Sequence, residues 1–475
     1  MKTLYYGGEI LPMNKNESIS AVLVEDGVVT ATGEQALNTN AEKINLDGAC
    51  MMPSFIDAHS HFSQVATSYL QINLENDKDL EHNVQEYISE NDIKPGEWVS
   101  VNGFSGQKMP IKQELDSILP NNPAVIMHQS GHMGVFNSPA AKILGVDGGY
   151  YEETDFMQLI RRVPQPSAEK MLGAYEKAQE LYASYGITTV QDGMVVKEVI
   201  PMYKIIEKRL WLDVVAYAEM QAYEEFNRQF PNLCGGIKIF LDGSPQQKTA
   251  WMRTPYAGTD FYGNGTMSDN DVKEVVRFCS QNNIQLLAHC NGDAAAQQYL
   301  NCAKGFFLDR PVMIHAQLLD YDQLDDVKNL GMIPSFFVSH VYYFGDIHIK
   351  NFGFERASRI SSCAAAEKKD ILFTFHQDSP VVKPDMLFTV WCAVCRKTKS
   401  GVTLGDGINV FSALRAVTVN PAYQYHKEDK QGTIEVGKKA DFVILDKNPL
   451  SVLPDDLPKI KILSTIKDGR SVYNG

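Results

Sequence analysis

No apolar run in this sequence is long enough to cross a bilayer, and the most apolar stretches are short and broken by polar residues. Nor is there a disulfide framework. Eight cysteines lie scattered without regular spacing, so reduced thiols in a cytoplasmic protein are expected. The one close pair, Cys392 and Cys395 in LFTVWCAVCRKT, falls in a helical pattern with no second pair beside it, and reads as two packed helix cysteines. No Lys/Arg cluster offsets a formal net charge of -14, which argues against nucleic acid as a partner. The opening MKTLYYGGEILPM lacks the continuous apolar stretch of a leader and reads as strand and turn. Internal repeats and low-complexity segments are missing too. What is left is a soluble, acidic protein acting on something small, with neither nucleic acid nor membrane as partner. A homo-oligomer stays open.

The 475 residues, 44% hydrophobic and 21% charged, are too many for one compact core. The first fifty hold short alternating strands, with Asp26-Gly27 and Asp47-Gly48 as hairpin-type turns. The last fifty look alike, so residues 1–53 and 431–475 are expected to join as a small β-sandwich. Between them, apolar strand-like runs alternate with helical patterns such as DNDVKEVVRFCSQNN. Repeated β-then-α units predict an α/β fold, a (β/α)8 TIM-like barrel over 54–430 with an insertion at about 66–150. Nine candidate strands compete for eight places: FIDAHSHF, PAVIMHQS, GITTVQDG, LDVVAYAEM, GGIKIFLDG, IQLLAHC, PVMIHAQ, MIPSFFVSH and ILFTFHQDS.

Several of these strands end on polar groups. In FIDAHSHF, Asp57, His59 and His61 share one face by the two-residue period of a strand. His289 ends IQLLAHC, His315 ends PVMIHAQ, Asp378 ends ILFTFHQDS, and Lys238 sits within GGIKIFLDG. In a β/α barrel all these tails converge on one face. Four imidazoles and a carboxylate combine borderline nitrogen donors with an anionic oxygen, which suits Zn²⁺ or a similar divalent metal. A charged Lys238 would be repelled there. A water on such a metal ionises near neutral pH, so hydroxide is available to attack a carbonyl, with Asp378 as general base and then acid.

Together these motifs resemble the metal-dependent amidohydrolase superfamily, in the branch that contains N-substituted formamide deformylase and related uncharacterised amidohydrolases. FIDAHSHF resembles its first-strand H-x-H motif and GGIKIFLDG its fourth-strand lysine motif. LAHCNGDAA and MIHAQ resemble its fifth- and sixth-strand histidines, HQDSPV its eighth-strand aspartate, and GTIEVGKKADFVILDKNPL its C-terminal signature. The resemblance implies that carbon dioxide carbamylates Lys238, making it a carboxylate that bridges two metals. His59, His61 and Asp378 would then hold one metal, and His289 and His315 the other; a single-metal version stays open. It implies hydrolysis of a non-peptide C–N bond, with a deaminase on the same fold as the alternative. The stretch after His289 carries no Glu of the kind that deaminases use.

Three residues are assigned to substrate binding: His132 in HQSGHMGVFNS, and Asp242 and Asp293 in turns after ligand-bearing strands. His376 is read as a hydrogen-bonded core histidine one layer below Asp378, Asp57 as a support for its strand, and His340 and His348 as surface or loop residues. Gln191 and Ser130 stand where the family often has histidine and aspartate, and are placed near the pocket rather than in the metal shell.

Overall fold

The computed structural model describes residues 2–74, 80–105, 108–130 and 132–475. Six strands open the chain: β1 Lys2–Ile10, β2 Ile19–Glu25, β3 Val28–Thr32, β4 Glu42–Asn45, β5 Cys50–Pro53 and β6 Phe55–Ile56. Five follow in the region expected as an insertion: β7 Ile72–Asn73, β8 Val99–Phe104, β9 Ala124–His128, β10 Met133–Phe136 and β11 Gly149–Glu152. Next come β12 Ile187–Val195, β13 Asp213–Ala218, β14 Cys234–Phe240, β15 Leu286–Cys290, β16 Val312–His315, β17 Ile333–Phe336 and β18 Thr374–Phe375. The chain closes with β19 Phe442–Leu445, β20 Ile462–Lys467 and β21 Arg470–Asn474.

The two termini do meet. β5 pairs antiparallel with β19, joining both ends in one sheet of order β21-β20-β19-β5-β1-β2-β3, with β4 also on β1. Strand alternation divides its apolar residues: Tyr5, Val22 and Val24 pack in one cluster, and Leu4, Ala21 and Leu23 in another. Asp26 and Gly27, at φ 50° and 81°, turn the β2–β3 hairpin as expected. Asp47-Gly48 closes no hairpin, because β4 and β5 both run parallel to β1.

A second sheet is wholly parallel, in the order β18-β17-β16-β15-β14-β13-β12-β6. Its strands are near-continuous apolar runs, as burial on both faces requires; all four residues of β16 are buried. Just past its two outermost strands, His61 N–H donates to Ser379 O at 2.8 Å and Asp378 N–H to His59 O at 3.1 Å. These bonds draw the ends of the curled sheet together. Eight of the nine candidate strands lie here; PAVIMHQS is β9 and belongs elsewhere.

By its contacts the chain divides into two units, residues 1–62 with 179–475, and residues 63–178. The larger holds both the terminal and the parallel sheet. The smaller is longer than the expected insertion and has its own five-stranded sheet, β11-β10-β9-β8-β7. One face of that sheet presents Val99, Val101, Ala124 and Ile126 to Val84 and Leu115 on two helices.

Candidate metal centre

The parallel sheet gathers the expected ligands at the ends of separate strands. His59 and His61 follow β6, His289 lies in β15, His315 ends β16 and Asp378 follows β18. His59 Nε2 and His61 Nε2 stand 3.3 and 3.2 Å from Asp378 Oδ1, and His315 Nε2 is 3.9 Å from Oδ2. The His289 and His315 rings are 4.6 Å apart, centre to centre. Lys238 Nζ reaches within 3.2 Å of His59 Nε2 from lower in β14. Ligand atoms of His59, His315 and Asp378 lie within 4.8 Å of one another. The backbone bends to make this cluster: His315 and Asp378 take left-handed φ of 68° and 54°. Such angles cost non-glycine residues about 1–2 kcal/mol and mark functional positions.

The hydrogen-bond pattern fixes which nitrogens carry lone pairs. Gln191 Nε2 donates to Ala58 O at 2.9 Å, so its Oε1 faces His59 Nδ1 as an acceptor. His59 Nδ1 must then be the protonated nitrogen, and its Nε2 a lone pair. That lone pair faces Lys238 Nζ at 3.2 Å and Asp378 Oδ1 at 3.3 Å, the latter a buried oxygen with no hydrogen-bond partner among the described residues. An acceptor facing an acceptor is relieved by a cation between them, and the donor set suits a divalent metal. The His289 ring is set likewise by Asp242 Oδ1, 3.2 Å from its Nδ1.

The charge states agree. Burial, then Lys238, brings the His59 imidazole down to about 3, so it is neutral at physiological pH. Burial, then His289, holds His315 well below its usual range. Burial lowers Lys238 to about 8 against the pull of Asp378 and Asp192. Asp57, fully buried, is pushed well above its usual range by desolvation; its Oδ1 accepts from His59 N–H at 3.4 Å.

Four expectations need correction. Asp242 is not free for substrate, since its oxygens accept from His289, Asn291 N–H, Trp251 N–H and Gly292 N–H. Asp293 is bound to the Arg253 backbone and guanidinium at 2.8 and 3.0 Å. Gln191 is not set apart from the expected ligands, since its amide oxygen faces the His59 ring. His340 and His348 are buried, not superficial, with rings 5.6 Å apart. His132 belongs to the smaller unit, exposed, 3.3 Å from Glu153. His376 is the core histidine expected, between His315 and Ser335. Sequence reasoning missed Gly193, where a Cβ would come within 2.7 Å of His59 and 2.9 Å of His61 ring atoms. The signal for Gln191 was a polar amide inside an otherwise buried strand, which needs partners.

A parallel sheet carrying histidines and an aspartate at its strand ends offers the donor set of a divalent-metal site. The model of the amidohydrolase family matches residues 42–473, and the chain belongs to that family of enzymes. It is 26% identical to YtcJ of Bacillus subtilis (strain 168), which carries an amidohydrolase name, over 100% of this chain and 99% of that protein. With the N-substituted formamide deformylase of Arthrobacter pascens it shares 24% identity over 96% of this chain and 95% of the other. Among solved structures, an uncharacterized metal-dependent hydrolase from Pyrococcus horikoshii OT3 superposes with a TM-score of 0.81 at 23% identity, covering 96% and 99% of the two chains.

Proposed function

We propose that this chain hydrolyses a carbon–nitrogen bond, other than a peptide bond, in a small amide-like molecule. The observation that carries the reading is the lone pair of His59 Nε2 facing the unpartnered Asp378 Oδ1 at 3.3 Å. His59, His61, His289, His315 and Asp378 would hold one or two divalent ions, with zinc suited to the imidazole-rich set. When bound, the metal supplies Lewis acidity, activating water and polarising the substrate carbonyl. Asp378 takes a proton from the attacking water and delivers it to the leaving nitrogen.

Lys238 is suited to carbamylation. Its buried amine, lowered to about 8, is neutral in part at physiological pH. The nitrogen lone pair attacks the carbon of carbon dioxide and a proton leaves, turning a cation into a carboxylate ligand. The parallel sheet closes as a (β/α)8 barrel in this reading, and the terminal sheet folds over as a β-sandwich. His132 is the remaining candidate for substrate contact. Eight unpaired cysteines support a reducing, cytoplasmic setting. No helix among the described residues is long and apolar enough to cross a membrane.

The test is a panel of N-formyl, N-acyl and cyclic amides, with aminated heterocycles as the deaminase arm, run before and after chelation and metal return. Metal-dependent release of amine and acid from an amide supports the reading. Ammonia release from the heterocycles alone overturns it in favour of deamination.

A further inference from the structure

The sheet of the smaller unit is covered unequally. Val99, Val101, Ala124 and Ile126 are buried on the face that two helices cover. By strand alternation Ser100, Val125 and Met127 point to the other face. There Phe136 and Phe156 cluster with Val125, but Trp98 and Met127 are only half-buried. A cleft of about 620 Å³ opens beside them, lined by Trp98, Ser100, Val125 and Met127 and by one side of the helix Ala168–Ser184. Every residue that lines it lies between 67 and 177, and none is an expected metal ligand.

Size, rings and charge together define what such a cleft takes. Its volume falls within the range of small-molecule sites, about 300–1,000 Å³. Tyr69, Tyr87 and Trp98 line it with aromatic rings and Met127 and Met171 with thioethers, both favourable partners for an aromatic guest. Its charged groups leave one cation over. Lys170 Nζ is paired with Glu97 at 2.9 Å. Lys177 Nζ, one helical stretch further on, meets the amide oxygen of Asn91 at 3.1 Å and no carboxylate among the described residues. Between the two lysines stands Gly173, a poor helix former in a helix interior. A Cβ built there meets nothing within 4 Å, so packing does not demand the glycine; its missing side chain leaves the cleft open.

We infer that this cleft is a second binding site, for an aromatic monocarboxylate whose ring lies against Trp98 and the methionines and whose carboxylate meets Lys177. A single negative charge matches the one cation left without a carboxylate, and the apolar lining takes the ring out of water. The site is built from the smaller unit alone and does not depend on the metal-dependent reading above.

The test is calorimetric titration of naphthylacetate, and of the neutral naphthylethanol, into the full-length protein and into Gly173→Leu, Lys177→Met and His59→Ala, each shown to be folded by its melting curve. The unaltered protein is expected to bind the acid about 10-fold more tightly than the alcohol. Gly173→Leu, whose side chain enters open space, is expected to weaken both about 10-fold or more. Lys177→Met should weaken the acid to the level of the alcohol, and His59→Ala should bind as the parent does. The inference is overturned if Gly173→Leu binds as tightly as the parent, or if acid and alcohol bind alike. Loss of binding in His59→Ala overturns it too, by placing the acid at the metal centre. So does a parent that binds neither probe; if Gly173→Leu then splits a dimer, a second copy of this chain fills the cleft instead.

Discussion

Two lysines are buried among the described residues, and they are treated in opposite ways. Lys467, 4% exposed in β20, is met by Asp441 at 3.0 Å and Asp213 at 3.2 Å, and so ties the terminal sheet to β13. Burial would lower it, but Asp441, Asp213 and Asp468 outweigh that and raise it above the ordinary lysine range. Lys238, 2% exposed in β14, has the nitrogen of His59 at 3.2 Å and the ring of Phe240 at 4.7 Å. There burial wins and the amine falls to about 8. A lysine that holds a fold together is given carboxylates. One left without them in the interior is kept reactive, at a cost to stability. The difference separates a structural charge network from a site.

The comparison breaks first at the ligands. Asp378→Asn or His59→Ala is expected to lower kcat/KM on the order of 10³-fold or more and to release metal, with thermal stability of the metal-free form little changed. Metal analysis alongside kinetics checks this. Lys467→Met should do the reverse: it strands Asp441 without its cation and costs about 3–5 kcal/mol of stability, while activity per folded molecule persists. Denaturant unfolding reads the first and active-site titration the second.

Gly193→Ala comes next. A methyl group there displaces both His59 and His61, and a shift of about 1 Å is expected to cost about 10²-fold in turnover, measured with metal in excess. The smallest effects are in pH dependence. Lys238, lowered when folded, costs stability below about pH 8, and that cost fades as pH rises toward its unfolded value. Metal-free Lys238→Met should therefore melt higher than the metal-free parent at pH 7, with the gap closing near pH 10. The lowered Asp213 adds stability where Lys238 subtracts it, with the same rise as pH increases. Its contribution is present above the ordinary aspartate range and lost as pH falls below about 4.

The convergence of these side chains was legible in the sequence because strand periodicity and a parallel sheet send the strand tails to one edge, so a histidine ending β15 or β16 had one place to go. Their ring partners were not. Asp242 meets His289 across 47 positions of sequence, and an Asp before Gly looks the same whether it makes a turn or holds a ring. Gln191 departs from the family's frequent histidine, and nothing local says that its amide reaches His59. The smaller unit runs past the expected end at about 150, and the helix Ala168–Ser184 crosses its division at residue 178 without a change in composition.

Metal stoichiometry is the most direct measure of the central claim. Protein stripped by chelator and returned to zinc, manganese or cobalt should bind one or two ions per chain and regain amide hydrolysis in proportion. The His59→Ala and Asp378→Asn variants should bind less and regain nothing. A folded protein that takes up no metal, or variants that match the parent in both metal and turnover, would contradict it.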